Sequence, residues 1–468
     1  MRIVISGGGM VGLCTGMLLA KDGHEVTLIE RDAAPPPDPE ASWDSWERRG
    51  VNQFRLPHFF LSRFRSIAET ELPRLTDALL TAGACRYNIV DNIPDEMKGG
   101  PRPEDVRFDA ITGRRTVIES VTARVAEETP GLTVRRGAAV RGLITGTSSR
   151  DHVPNAIGVE LDDGERIEAD VVVDATGRRS PLPRWVADAG GAPAAEELED
   201  SGFIYYGRHF RSSDGSLPMM IGPLKQEYGS ISALTLPADN GTWSVTIIAS
   251  AKDAALRSLS DPDKWAKAIR SLPLAAHWID AEPIDDGVAM MAKIEDRIRD
   301  FAPGGKPVAT GVLAVGDSWS CTNPSLGRGA SIGLMHAVLL RDVLRDQGDA
   351  GPWDLAAAWY EMTRDEMEPW YRTTLNYDRH RLAETHAIIA GEEFATSNEE
   401  WNANQAIVAR SLESPDLLRA NLEVAMVLRR SDEVSADPAI KGLLGGSALT
   451  IGQPPLGPSR AELLAAIS

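Results

Sequence analysis

Glycines near the amino terminus have the spacing that lets a chain approach a pyrophosphate closely. Gly7, Gly9 and Gly12 form a GxGxxG pattern directly after a short apolar run, and Glu30 ends the next apolar run. The first glycine permits a tight turn, the second lets backbone N–H groups at a helix end reach phosphate, and the third allows close helix–strand packing. The Glu30 carboxylate can accept from ribose hydroxyls and disfavours a 2′-phosphate. The pattern predicts a site for FAD or NAD rather than NADP.

A second group of glycines lies late in the chain. Gly316 and Asp317 follow another apolar run, and a loop over residues 323–329 precedes a long apolar stretch. A carboxylate at a strand end can bind ribityl hydroxyls, and a helix amino terminus can stabilise an anionic reduced isoalloxazine. Together with the first pattern, this spacing favours a flavin as the bound dinucleotide.

The sequence assigns no catalytic residue and no metal ligand. Cys14, Cys85 and Cys321 have no metal-ligand spacing and indicate reduced thiols. Candidates for a substrate-pocket wall are His209, Tyr206, Trp243 and Pro324. Aromatic residues in a sheet more often pack in a core, and His209 is more often a half-exposed strand residue, whereas a proline before the late loop fixes its backbone.

The glycine turns need strands and helices to position them. Residues 2–5 and 26–29 predict short strands around a helix over residues 13–21, which is a βαβ unit. Later runs predict strands at residues 132–136, 157–161, 166–169, 171–173 and 312–315, and helices at residues 57–71, 115–128 and 329–345. Extended aromatic runs at residues 203–210, 230–236 and 243–249 indicate a second, β-rich layer. Helical patterns return at residues 401–412 and 417–429.

Composition narrows the class of partner. The chain has 468 residues, 43% hydrophobic and 25% charged, with a net charge of −19. That charge opposes binding to nucleic acid or anionic membrane surfaces. No run approaches the roughly 20 apolar residues that span a bilayer, so we expect a cytoplasmic protein without a membrane span.

Three motifs resemble those of the FAD-dependent aromatic hydroxylase superfamily, the para-hydroxybenzoate hydroxylase-like class A flavoprotein monooxygenases. They are GGGMVG at residues 7–12, DATGRRS at residues 174–180, and GD at residues 316–317 followed by Pro324 and GRG at residues 327–329. The motifs extend over about residues 1–345. The resemblance implies an α/β fold in which a Rossmann-type FAD-binding domain is interleaved with a β-sheet substrate domain. The helical patterns near the end of the chain predict, in addition, a helical C-terminal extension.

The expected domain bounds follow from the motifs and the β-rich middle. The discontinuous FAD-binding domain takes residues 1–75, 110–185 and 300–380, the substrate domain takes residues 76–109 and 186–299, and the extension takes residues 381–468. By position, Arg49 and Gln53 resemble residues against the flavin ribityl and diphosphate, Arg115 resembles a diphosphate-facing arginine, and Val140 resembles a residue whose backbone meets the adenine. The expected FAD-binding residues are Gly7, Gly9, Met10, Val11, Gly12, Glu30, Arg31, Arg49, Gln53, Arg115, Val140, Ala175, Gly177, Gly316, Asp317, Pro324, Gly327, Arg328 and Gly329.

The middle motif departs from the family, which has Asp-Gly where this chain has Thr176 and Gly177. In the family, that motif links FAD contact to NAD(P)H use. The change at Thr176 therefore leaves two routes from NADH or NADPH to the flavin, one direct and one through a separate reductase. An Ala-Thr-Gly there also occurs in halogenases and prenyl reductases. The Trp-x-Trp-x-Ile-Pro segment of halogenases is missing from this sequence, so we rank a halogenase lower.

The resemblance therefore implies an FAD-dependent monooxygenase. Such an enzyme inserts one oxygen atom of O2, by hydroxylation or epoxidation, into a hydrophobic, aromatic or polycyclic small molecule through a flavin C4a-hydroperoxide. The enzyme alternatives are an FAD-dependent reductase or dehydrogenase and a halogenase-like flavoenzyme. A non-enzymatic alternative is a dinucleotide-binding redox sensor.

Overall fold

The protein is built around a five-stranded parallel sheet. The computed structural model describes residues 1–48, 50–51, 53–56, 58–445 and 457–468. The parallel strands, in spatial order, are Val312–Ala314, Val171–Asp174, Arg2–Ser6, Glu25–Glu30 and Leu132–Arg136. The three central strands and Val312–Ala314 are mostly apolar and buried between their ends, as expected for a sheet covered on both faces. The predicted βαβ unit and the α/β class are confirmed.

Three helices cover this sheet and set the positions of its loops. Helix Met10–Lys21 is buried on nearly all sides and packs between Arg115–Glu127 and Gly329–Gln347. The predicted helix at residues 57–71 is shorter, as Ser62–Glu71, because Phe59–Phe60 pairs as a strand with Ile111 and Thr112; residue 57 lies outside the described residues.

A six-stranded antiparallel sheet forms the second layer, and we call it the large sheet. Its strands are Lys225–Tyr228, Ile231–Pro237, Thr242–Ser250, Phe203–Arg211 and Glu282–Pro283, with Ala289–Met291 also paired to Phe203–Arg211. Helix Pro262–Arg270 covers one face and buries Trp265 against Tyr206 and Phe210. The opposite face carries Phe203 and Tyr205. This arrangement agrees with the expected β-rich middle.

Smaller elements complete the fold. Three-stranded antiparallel sheets are formed by Ala195–Asp200, Glu295–Asp300 and Ser320–Cys321, by Phe59–Phe60, Asp109–Thr112 and Cys85–Asn88, and by Val140–Gly146, Asn155–Leu161 and Arg166–Glu168. The other short helices are Ser42–Ser45, Pro73–Thr81, Asp95–Lys98, Pro103–Phe108, Leu182–Asp188, Ala254–Ser260, Ala276–Ile279, Pro303–Gly305, Gly316–Ser318 and Pro324–Leu326.

One long helix, Pro352–Ala390, was not predicted from the sequence. It packs along Gly329–Gln347, and the expected boundary between residues 380 and 381 falls inside it; the division into domains stays a prediction. Beyond it lie Glu399–Arg410, Pro415–Ala425, Ser431–Ala436, Pro438–Leu444 and Arg460–Ala466. The last helix returns to the large sheet, where Leu463 joins its core.

Candidate functional site

The amino-terminal glycine turn borders an open space at the start of a helix. Gly7 has φ +109°, and a Cβ on Gly12 would lie 2.0 Å from the Gly7 carbonyl oxygen, so both positions require glycine. A Cβ on Gly9, by contrast, would meet no protein atom within 4 Å. Gly9 caps helix Met10–Lys21 without a side-chain hydrogen bond. The N–H groups of Met10 and its neighbours therefore border an open space suited to an anion.

Glu30 lies beside this turn, as its place at the strand end predicted. Its Oε2 accepts the Gly8 N–H at 3.0 Å and a hydrogen bond from Arg48 Nη2 at 2.6 Å. Its Oε1 accepts the Asp32 N–H at 2.9 Å. A carboxylate has lone pairs for about four hydrogen bonds, so Glu30 retains capacity for a ribose hydroxyl. Arg49, the neighbouring expected residue, lies outside the described residues.

Arg48 and Arg115 share a buried carboxylate at the edge of the turn. Glu119 Oε2 accepts from Arg48 Nη1 at 2.7 Å, and its other oxygen accepts from Arg115 Nε. Burial would raise the pKa of Glu119, but the two arginines lower it below its usual value, which keeps the carboxylate charged. Burial, followed by the charge of Arg115, lowers the pKa of His58 to about 3. His58 is therefore neutral, and its Nε2 accepts from Arg115 Nη1 at 2.8 Å.

The middle motif packs directly on the glycine turn. A Cβ on Gly7 would lie 2.5 Å from the Ala175 carbonyl oxygen, and Gly177, with φ +83°, donates its N–H to Ser318 Oγ at 2.9 Å. Asp174 is fully buried and accepts hydrogen bonds from Thr176 and Ser180. Burial raises the pKa of Asp174, partly offset by those two hydroxyls. This carboxylate therefore shapes the motif from inside and is not exposed to a ligand.

A cavity opens where the late glycine segment meets the large-sheet layer. It brings together five residues expected to bind the cofactor, namely Gln53, Gly316, Asp317, Pro324 and Gly329. Other lining residues are Arg178, Met291, Ile294, Glu295, Trp319, Ser320, Cys321, Thr322, Ile332, Gly333, His336 and Tyr371. The cavity thus joins a polar rim from the parallel-sheet loops to an apolar wall.

Asp317 and Val11 connect this cavity to the first glycine turn. A Cβ on Gly316 would lie 3.0 Å from Val11 Cγ1, so the first turn of helix Met10–Lys21 touches the late motif. Burial raises the pKa of Asp317, and the charges of Arg115, Arg178 and Arg299 oppose that rise. The two glycine motifs therefore lie next to each other, as a dinucleotide that spans both would require.

The buried side chain of His336 accepts a hydrogen bond from the turn at Gly316. Its Nδ1 accepts the Gly316 N–H at 3.0 Å, its Nε2 lies 3.1 Å from Thr363 Oγ1, and its ring stacks on Trp359 with centroids 4.6 Å apart. Burial lowers the pKa of His336 to about 3, so the ring is neutral. Because Nδ1 is the acceptor, Nε2 carries the proton and donates to Thr363.

We expect His336→Leu to destabilise the chain more than His336→Asn. Leucine leaves the buried Gly316 N–H without an acceptor, which costs about 1–3 kcal/mol, whereas the asparagine carbonyl can replace Nδ1. Urea unfolding followed by tryptophan fluorescence measures both values. Equal losses in the two variants would mean that ring packing, and not this acceptor, is what matters.

The late loop turns one expected residue away from the cavity. Gly327 has φ +66°, which favours glycine. The buried side chain of Arg328 donates to Thr374 Oγ1 at 3.1 Å and reaches the Val424 carbonyl at 3.5 Å. Arg328 therefore ties the loop to the C-terminal helices, and it does not line the cavity.

Several other candidates lie away from the cavity. Tyr206 and Trp243 belong to the core between the large sheet and its helix, because alternate residues of a strand face opposite sides. The expected half-exposed state of His209 is wrong: it is buried and packs on Trp43 with ring centroids 4.7 Å apart. Arg31 is exposed and Val140 is half-buried.

Sequence reasoning missed the residues that support the site from a distance in the chain. They are Arg48, His58, Glu119, Tyr205, His336 and Asp378. The one available signal was the position of Arg48 next to Arg49; nothing local marks the others. Among the described residues, no helix is long and apolar enough to cross a membrane, and no group of His, Cys, Asp and Glu could hold a metal ion.

Sequence comparisons show which known proteins this chain is similar to. No family model matches the chain. It is 26% identical over 394 residues to protein Rv3254 of Mycobacterium tuberculosis, covering 78% of this chain and 77% of that protein. It is 28% identical over 206 residues to the kynurenine 3-monooxygenase of Salinispora tropica, covering 43% of this chain and 42% of that protein.

Two solved structures illustrate the fold. One is the OxyS anhydrotetracycline hydroxylase from Streptomyces rimosus, with a TM-score of 0.58, 17% identity, and 92% of this chain and 76% of that chain covered. The other is the flavin-dependent brominase Bmp2, with a TM-score of 0.60, 17% identity, and 92% and 100% covered. The resemblance expected from the motifs is confirmed. In its motifs, its fold and these relatives, the chain is similar to proteins of the FAD-dependent hydroxylase superfamily.

Proposed function

We propose that the chain is an FAD-dependent monooxygenase that inserts one oxygen atom of O2 into a hydrophobic, aromatic or polycyclic small molecule. The observation that carries this proposal is the cavity between the late glycine loop and the large-sheet layer. Gly316, Asp317 and Gly329 border it on one side, and Met291 and Ile294 border it on the other. A cofactor held by the first side therefore faces an apolar wall.

The residues present fit FAD. The open space over Gly9 suits the diphosphate, and Glu30 suits the adenosine ribose. Arg115 lies in the neighbouring ion-pair cluster around Glu119. Asp317 suits the ribityl hydroxyls, and Gly329 begins a helix of 19 residues whose positive end stabilises negative charge. Bound there, FAD would supply the reaction with O2 and the transfer of one oxygen atom.

The chain's own contribution is to position the substrate and exclude water. Ile332, Trp319 and Tyr371 add apolar surface to the cavity near Pro324, and excluding water from a cavity prevents side reactions of reactive intermediates. Arg178 and Glu295 are the charged side chains at its rim besides Asp317. The fold likeness to an anhydrotetracycline hydroxylase supports the polycyclic substrate class.

Two sources of electrons for the flavin are consistent with the middle motif. Thr176 replaces the family's carboxylate, and the nearby carboxylate of Asp174 is buried and hydrogen-bonded within the motif. NADH or NADPH can reduce the flavin directly, or a separate flavin reductase can do so. The reductase partner and the cytoplasmic location stay predictions.

An absorption spectrum of the purified protein, followed by anaerobic NADH or NADPH, tests the proposal. We expect flavin bands that a nicotinamide bleaches, either directly or, where a separate reductase supplies the electrons, only after a flavin reductase is added. Oxygen consumption should then rise when polycyclic phenols are added. Bands that bleach without substrate-dependent oxygen consumption would favour a reductase or dehydrogenase. A protein that stays colourless after addition of FAD would overturn the assignment.

A halogenase-like reaction is the second candidate, because the fold is similar to that of a brominase. The same assay with bromide and chloride separates the two reactions. Halide-dependent modification of the substrate would favour the second candidate, whereas halide-independent oxygen insertion supports the first. A redox sensor would bind a dinucleotide without turnover of either kind.

A further inference from the structure

Two buried carboxyl groups hold the same residue of the late loop. Asp296 Oδ1 accepts the Asn323 N–H at 2.6 Å, and Asp378 Oδ1 accepts from Asn323 Nδ2 at 3.0 Å. Asp378 Oδ1 also accepts from Ser325 Oγ at 2.7 Å. Tyr205 OH donates to Asn323 Oδ1 at 2.6 Å, which fixes the orientation of the amide. All of these side chains are buried.

The second oxygen of each carboxyl group is buried and has no hydrogen-bond partner among the described residues. The Oδ2 atoms of Asp296 and Asp378 are therefore costly to leave charged. Asp296 lies on strand Glu295–Asp300 and Asp378 on helix Pro352–Ala390, so two separate elements converge on Asn323. The long helix that sequence reasoning missed supplies half of this arrangement.

The surrounding charges favour ionisation of Asp378 over Asp296. The groups that face Asp378 are Lys225, Arg328, Tyr205 and Tyr377. The groups that face Asp296 are Asp378, Glu199, Arg379, Tyr205 and Tyr371. Two cations thus stand near Asp378, whereas Asp296 faces two other carboxylates and one arginine.

The pKa values follow this asymmetry. Burial, and then the charge of Asp378, raise the pKa of Asp296 to about 7. Burial raises the pKa of Asp378 to about 6, offset by the hydrogen bonds from Ser325 and Asn323 and by the charges of Lys225 and Arg328. Because the two groups interact, their titration belongs to the pair.

We infer that Asp296 and Asp378 are a positioning pair that holds one proton in common, chiefly on Asp296, and thereby fixes the shape of residues 323–329. The inference rests on the proposed function, because this loop contributes Pro324 and Gly329 to the cavity where FAD is placed. Loss of the proton puts two negative charges around Asn323. The loop then loses its fixed geometry, and the affinity for FAD falls.

The pH dependence has a definite sign. Between about 3.9, the pKa of an unfolded aspartate, and about 7, Asp296 binds more proton in the folded chain than in the unfolded chain. The contribution of Asp296 to the free energy of unfolding therefore falls as pH rises through this range. Asp296→Asn removes the titration while its amide oxygen can still accept the Asn323 N–H. The melting temperature of this variant, relative to that of the wild-type chain, should rise with pH.

The first experiment observes the proton directly and needs no cofactor. We expect the infrared C=O band of a buried carboxylic acid in the wild-type chain at neutral pH and its loss in Asp296→Asn. Asp300→Asn, at a half-exposed position on the same strand, serves as the matched control and should keep the band. Asp378→Asn, as a second variant, should shift the titration of the band to lower pH. An unchanged band in Asp296→Asn would overturn the inference.

The second experiment links the proton to the cofactor site through the dissociation constant for FAD, measured by flavin fluorescence. For the wild-type chain we expect a rise of about tenfold between about pH 6 and about pH 8, and less than about twofold for Asp296→Asn. Parallel profiles would show that the pair does not position the loop. If the chain binds no FAD at any pH, the proposed function fails, while the infrared band still decides whether the pair shares a proton.

Discussion

Gly9→Val is expected to fold like the wild-type chain and to lose FAD binding. Gly9 has φ −75° and ψ 172°, an extended conformation that valine readily adopts. A Cβ there meets no protein atom within 4 Å, so the melting temperature without FAD should change little. The valine methyl groups would occupy the space over the helix end, where the diphosphate is placed. We expect the dissociation constant for FAD to rise by at least about 100-fold.

Two further variants separate a binding defect from a folding defect. Gly12→Val would place a Cβ 2.0 Å from the Gly7 carbonyl oxygen, so it should destabilise the chain whether or not FAD is present. Gly287→Val, at an exposed position that is also open around its Cβ, should change neither property. If Gly9→Val binds FAD with wild-type affinity, the cofactor does not lie over this turn.

The parts of the fold that sequence predicted are those that neighbouring residues determine. Apolar runs such as residues 3–5 and 171–173 became the centre of the parallel sheet, because the buried part of a strand covered on both faces is apolar. The glycine turn between Ser6 and Met10 was predictable for the same reason, since its conformation depends on residues within a few positions.

The parts that escaped prediction depend on partners far apart in the chain. Helix Pro352–Ala390 contains Pro369 and buries the polar side chains of Thr374, Asp378 and Arg381, which obscures its apolar periodicity. Glu119 pairs with Arg48 across 71 positions. No spacing rule connects such residues, so the supporting shell of the candidate site appears only in the folded chain.

Asp239→Ala is expected to give the largest loss of stability among the ion pairs. The Asp239 carboxylate accepts from Arg114 Nη2 at 2.7 Å, from Arg114 Nε at 3.1 Å and from the Arg114 N–H at 2.6 Å. The side chains are 0% and 4% exposed. Removing one member of a buried pair leaves an uncompensated charge and costs about 3–5 kcal/mol. Urea unfolding measures this loss.

The Arg114–Asp239 pair also joins the two layers that border the cavity. Arg114 precedes helix Arg115–Glu127, and Asp239 lies in the turn between two strands of the large sheet, so alanine here should loosen the site as well as the fold. Glu165→Ala, which removes the exposed partner of Arg135, is the matched control and should leave unfolding unchanged. The double variant Arg114→Met, Asp239→Leu replaces both charges by apolar groups and should recover part of the loss, because the Arg114 N–H that Asp239 accepts still loses its acceptor. If the double variant is as unstable as Asp239→Ala, the stability comes from the hydrogen-bond geometry itself, because no unpaired charge then remains to explain the loss.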